Sequence, residues 1–170
     1  MRIVTRRRSF AVVVAILAGP ALIVGPAATA ATAPAHDQAS GTAALGQFGD
    51  PRAHVNAIAR PDGVSGSFTI TYPDETVVTG DVVCAEASAD IAYVTGRITE
   101  SSGPRQIANN WQPGNYIVIG VADKGEPGVE AGDRLNFSAG SAAHPGCGPN
   151  GAATPVFPIV SGNYRVVDGI

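Results

Sequence analysis

The sequence predicts an all-β protein: a single antiparallel β-sandwich or barrel-like domain of about seven strands behind an N-terminal export signal. Three observations carry this. Short runs with apolar residues at every second position recur along the chain, as in Ser67–Tyr72, where Phe68, Ile70 and Tyr72 share one face and Ser67, Thr69 and Thr71 the other. Proline- and glycine-bearing turn signals separate them, as in Arg60-Pro61-Asp62-Gly63. Beyond the export signal no window sustains an apolar period of 3.6, so helices are expected to be absent or very short.

Residues 1–30 read as a signal peptide. Arg2, Arg6, Arg7 and Arg8 form a basic start, Phe10 to Val24 is apolar, and Ala28-Thr29-Ala30 offers small residues for cleavage near Ala30. The apolar run is short and broken by Pro20 and Pro26, whereas a spanning helix needs about 20 apolar residues, so stable membrane insertion of the mature chain is not expected. Arg7-Arg8-Ser9-Phe10 is also compatible with a twin-arginine signal, and the sequence does not separate the two export routes. This segment holds four of the 11 Lys+Arg and none of the 14 Asp+Glu, leaving a formal charge of −7 beyond it. Lys124 is the only lysine. Such a surface excludes nucleic acid and anionic membrane as expected partners, since both need basic patches.

Residues 31–45 are mostly Ala, Thr, Ser and Gly and are predicted to be a disordered lead-in. The β domain is placed at 46–170. Its strands are predicted at His54–Arg60 (Val55, Ala57 and Ala59 inward), Ser67–Tyr72, Thr76–Glu86 (Val78, Val82 and Cys84 on one face) and Ile91–Thr99. Tyr116–Ala122, apolar on both faces, reads as the central strand. Arg134–Ser138 and Asn163–Val167 complete the set. Gly80, Gly96 and Gly120 fall mid-strand and predict bulges or close packing. The long 139–162 segment needs a tether.

Cys84 and Cys147 are the only cysteines, and in an exported chain they are expected to form that tether as a disulfide. Closing about 60 residues is worth about 4 kcal/mol in the chain-entropy model. A metal site from His144, Cys147 and Cys84 lacks paired ligand spacing.

The candidate sites are few. Asp123, Glu126, Glu130 and Asp133 crowd four carboxylates into one loop and offer a site for Ca²⁺, the one cofactor the sequence suggests. The plainer reading is a hairpin tip, since Glu126-Pro127-Gly128 suits a type II turn. Trp111 stands among Asn109, Asn110 and Gln112, where it suits either stacking on a sugar ring or, more commonly, capping an open sheet end. His36, His54 and His144 are scattered, and no nucleophile elbow or paired carboxylate set is present, so no catalytic residues are assigned. An Asn136-Phe137-Ser138 sequon lies within a strand.

Asp62-Gly63-Val64-Ser65-Gly66-Ser67-Phe68, Gly80-Asp81-Val82-Val83-Cys84 and Ala122-Asp123-Lys124-Gly125-Glu126-Pro127-Gly128 followed by Asp133-Arg134-Leu135 carry a resemblance. Together they resemble a group of secreted, uncharacterised actinobacterial β-domain proteins with a Gly-Glu-Pro-Gly loop, in which Asn is usual where this chain has Lys124. The resemblance implies location and fold and adds no catalytic residues. The expected function is that of an exported, non-catalytic domain binding a ligand, a cell-wall or other envelope component, or another protein. The alternatives are a small secreted enzyme with polar groups such as His54, Asp81, Tyr93 and Arg97 converging in a barrel mouth, and a structural or adhesive envelope protein.

Overall fold

Alternation of apolar and polar residues gives each strand one face to bury, and the strands satisfy that demand by curling into a ring. The computed structural model describes residues 36–125 and 132–169. The predicted signal peptide, residues 31–35 of the lead-in, and Glu126 and Glu130 lie outside the described residues. Eight strands are present among them: β1 (Asp37–Leu45), β2 (Arg52–Arg60), β3 (Gly63–Thr71), β4 (Val77–Ser88), β5 (Ile91–Ser102), β6 (Tyr116–Ala122), β7 (Arg134–Phe137) and β8 (Phe157–Val167). A four-residue helix, α1 (Arg105–Ala108), interrupts the β5–β6 connection. Each strand pairs antiparallel with the next, and β8 returns to β1, closing an up-and-down barrel.

The barrel resolves the choice between sandwich and barrel, and the strand count is eight rather than seven. The extra strand is β1, so the disordered lead-in expected over residues 31–45 is corrected from Asp37 onward. Its small residues fail to signal a strand because they are chosen for a crowded interior. Ala39 and Ala43 are buried, and Gly41 lies against the Tyr164 ring, where a Cβ would collide. β8 is likewise longer than the predicted Asn163–Val167 and takes in Phe157–Gly162 from what reads as a loop.

An eight-stranded barrel has an interior just wide enough for side chains to fill it. Here Phe68, Ile70, Val78, Val94, Ile98, Ile117, Ile119, Leu135, Ile159 and Tyr164 form one continuous core. Large residues are matched by missing ones. The Phe68 ring lies against the Cα positions of Gly80 on β4 and Gly96 on β5, which explains two of the mid-strand glycines. Substituting Gly96→Ala is expected to cost about 1–3 kcal/mol by overpacking. Urea unfolding measures it, and combining Gly96→Ala with Phe68→Leu should cost less than the two single changes added together.

The β4–β5 ladder slips between Val82 and Cys84. One extra residue there turns the following side chains over. Ala85 and Ala87 therefore face the core, whereas Cys84 does not share the face of Val82 as expected. It lies outside, opposite Thr95, and bonds to Cys147. That bond pins the 138–156 connection across the outer surface like a strap. Thr95 Oγ1 donates to the Gly146 carbonyl at 2.7 Å, Tyr116 and Ser141 form a bridge, and the Ala153 carbonyl sits over Gly120. The strap covers the outer face of β6 at Gly120, and Val118 and Ala122 on that face are also buried. In a ring there is no central strand; β6 is buried on both sides because the strap covers it.

Tyr164, pointing inward, donates from its hydroxyl to the Ala53 carbonyl at 2.9 Å. Burial, with the Asp133 charge adding to it, pushes its phenol well above the ordinary tyrosine range. Burial also pushes Tyr72 up to about 12, the nearby Arg105 charge opposing. A raised folded-state value means full stability below pH of about 10 and progressive loss as the pH climbs toward 12, because the unfolded chain releases those protons first. The expected slope is about 1.4 kcal/mol per pH unit for each such tyrosine. Phenolate absorbance should show Tyr72 and Tyr164 resisting titration until the barrel opens. Ordinary titration of both with the fold intact would refute this.

Candidate functional site

The meander puts the β2–β3, β4–β5 and β6–β7 connections at one end, together with Asp37 and Val167. The β1–β2, β3–β4, β5–β6 and β7–β8 connections gather at the other end. The two ends are built from different chemistry.

The first end is braced by aspartates that accept backbone N–H groups. Asp133 is buried; Oδ1 accepts from Lys124 N and Gly125 N at 2.9 and 3.1 Å, and Oδ2 accepts from Tyr164 N at 3.0 Å. Asp123 Oδ2 accepts from Val166 N at 3.1 Å. These bonds stand where the ladder is thinnest, since β7 and β8 pair only at Arg134–Pro158 and Leu135–Phe157. Asp37 bonds Ala87 N and Gly169 N, and Asp168 bonds Ala89 N. Lys124 reaches Asp90 at 2.6 Å, and its ammonium, more than burial opposes, holds the Asp90 carboxyl below the ordinary range. Of the four carboxylates offered as a Ca²⁺ site, the two described ones are thus turned to backbone donors. Among the described residues no three His, Cys, Asp or Glu side chains gather as metal ligands do.

At the second end, four connections enclose a recess of about 200 Å³. Its floor includes Leu45, Trp111 and Phe137, and its wall includes Phe48, Tyr72 and Arg105. Trp111 is only 2% exposed, packs between Tyr72 and Phe137 at 5.9 and 6.0 Å between ring centroids, and donates Nε1–H to the Ser138 carbonyl at 3.3 Å. It is the plug of this barrel end, and its faces are taken by protein. Stacking on a sugar, one of the two roles open to it from the sequence, is not available to the ring as it is packed here.

Arg105 organises the rim. Its Nε–H donates to Asp74 at 2.6 Å, Nη1–H donates to the Phe48 carbonyl at 3.1 Å, and the guanidinium lies 4.3 Å from the Tyr72 ring centroid. One side chain therefore joins the helix, the β3–β4 turn and the β1–β2 loop. Burial acts to raise the Asp74 carboxyl, and hydrogen bonds from Thr76 and Arg105 outweigh it, holding the group below the usual carboxylate range. In the β1–β2 loop, Phe48, Gly49 and Asp50 run consecutively through positive φ (57°, 85° and 55°). An aromatic residue rarely adopts that conformation, and such strain persists only where surrounding contacts hold it. Here the Arg105 bond and an edge-on contact of Phe48 with Phe157 at 4.7 Å do so. The result is a phenylalanine 54% exposed at the mouth.

Other candidate residues do not converge. His54 is exposed on the outer face of β2, bonded to Thr42 Oγ1 at 2.8 Å. Asp81 and Arg97 are exposed opposite each other on β4 and β5, and Tyr93 is outside near Pro149 of the strap. None of the four points into the barrel, whose interior is apolar. His144 accepts from Gly146 N at 3.0 Å within the strap and lies edge-on to Tyr116. Asn136 Nδ2 donates to the Thr154 carbonyl at 3.0 Å, so the sequon amide is engaged by the fold.

Fold and site together define an eight-stranded up-and-down β-barrel with a packed interior, an external disulfide-tied strap and a recess at one mouth. Compared with known proteins, the chain matches no family model, no curated protein and no solved structure. Sequence reasoning missed Phe48, Tyr72 and Arg105 as site residues. The available signals were an aromatic in a Gly-rich turn, Gly46-Gln47-Phe48-Gly49-Asp50-Pro51, and an arginine in the loop that carries Trp111.

Proposed function

We propose that the protein is an exported, non-catalytic binding barrel that engages an extracellular ligand, an envelope component or a protein, at the recess end. The observation that carries this reading is the mouth itself: a strained, half-exposed Phe48 held beside the Arg105–Asp74 pair over a recess. Strained backbone of this kind clusters at binding sites. Export is supported by the basic–apolar–small segment over residues 1–30 and by the disulfide, which suits an oxidising compartment. The resemblance of the Gly-Glu-Pro-Gly loop to secreted actinobacterial proteins agrees with that location. The chain's acidity argues for neutral or cationic partners over nucleic acid.

Sedimentation with isolated cell envelopes, backed by a glycan array, tests the reading. Wild-type protein should be retained, and Phe48→Ala, which removes an exposed ring, should be retained much less while melting at nearly the same temperature. Absence of retention on envelopes and of any signal on the array would sink the proposal.

A further inference from the structure

The recess contains hydrogen-bond donors that the fold does not consume. Arg105 commits Nε–H to Asp74 and one Nη1–H to Phe48, and its remaining N–H groups have no acceptor among the described residues. Tyr72 lines the same recess, and its hydroxyl, which makes no hydrogen bond to a described residue, is accessible from it. A phenol pushed up to about 12 stays a neutral donor at any physiological pH. Accessible donors of this kind can exchange water for an acceptor on a ligand.

Charge decides what kind of acceptor fits. The guanidinium is matched by Asp74, and the chain beyond the signal carries −7, so the mouth offers donors without net positive potential. A carboxylate or phosphate gains little there, whereas a neutral carbonyl accepts both donors at no charge penalty. Size and lining complete the description. About 200 Å³ falls below the usual span of small-molecule pockets, roughly 300–1,000 Å³, and the lining is mixed, with Phe48 and Phe137 beside the polar Arg105, Asn109 and Ser138.

We infer that the recess binds an acetamido group, its carbonyl accepting from Tyr72 Oη–H and the Arg105 guanidinium and its methyl lying against Phe48 and Phe137. This rests on the binding-barrel reading above and deepens it by naming the chemistry of the ligand. Sugar-borne and peptide-borne acetamido groups present the same chemistry.

Calorimetric titration tests it with triacetylchitotriose, with cellotriose as the neutral trisaccharide lacking acetamido groups, and with N-acetyl-alanyl-alanine amide. At least one acetylated probe should bind, and cellotriose should bind at least tenfold more weakly than that probe. Which acetylated probe binds identifies the source. Tyr72→Phe keeps the ring under Arg105 and breaks no bond within the protein, so its melting temperature should hold while its Kd for the acetylated probe rises about three- to tenfold. Cellotriose binding as tightly as the acetylated probes, an unchanged Kd in Tyr72→Phe, or no binding of either acetylated probe would each overturn the inference. If envelopes or the glycan array still show Phe48-dependent binding, the binding-barrel reading stands without it; if both are silent, both fall.

Discussion

Replacing Cys84 and Cys147 together by serine is expected to lower the stability of the barrel by about 4 kcal/mol, the chain-entropy value for a bond spanning 63 residues. In a domain of this size that is on the order of 10–15 °C in melting temperature. The loss has a second source in the folded state. Cys84 is on the outer face of β4, and the bond holds the 138–156 strap over Thr95 and Gly120. With the bond gone, only the Thr95–Gly146 hydrogen bond, the Tyr116–Ser141 bridge and the contacts around Ala153 keep that surface covered. Melting of the double variant beside wild type, with and without reductant, measures both parts. Reduced wild type should match the variant. A drop of less than about 1 kcal/mol would contradict the chain-entropy value and the folded-state contribution alike.

Asp133→Ala is expected to cost on the order of 3–5 kcal/mol, because it leaves the N–H groups of Lys124, Gly125 and Tyr164 without the buried carboxylate they share. The effect should be local to the β7–β8 seam, where two residue pairs are all the ladder provides. Hydrogen exchange should therefore rise first at Tyr164 and Val166. The same variant separates a brace from a cation ligand. A brace loses the same stability in chelator as in millimolar Ca²⁺. A ligand loses it only when calcium is present, and that outcome would return Asp133 to the candidate calcium site.

Most of the strand pattern was legible because it is a local property. Alternation in Ser67–Tyr72 and Ile91–Thr99 reports which face is buried whatever the face packs against. The same logic misplaced Cys84, because a bulge is invisible in a list of residues and shifts the alternation by one. It also missed β1. There, the strand is made of small residues because Tyr164, more than 100 positions later, fills the space beside Gly41. Tyr116–Ala122 read as a central strand for a sound reason, double-sided burial, but the second cover is a strap that only the disulfide places.

The site was the least legible part. Phe48, Tyr72 and Arg105 belong to three different connections, and nothing in their spacing along the chain brings them together. Ring closure does, by collecting alternate connections at one end. Trp111 drew notice as an aromatic among amides, and the fold uses it as a plug. The acidic loop drew notice as a charge cluster, and the fold turns Asp123 and Asp133 toward backbone donors of β8 and the β6–β7 connection. The primary structure thus specifies all-β character, turn positions and the pair of cysteines, since each follows from neighbours a few residues apart. Closure into eight strands, the outward turn of Cys84 and the meeting of Arg105 with Tyr72 and Phe48 depend on contacts between residues dozens of positions apart. Those contacts are set by how side-chain volumes fill a barrel interior, which no local pattern encodes.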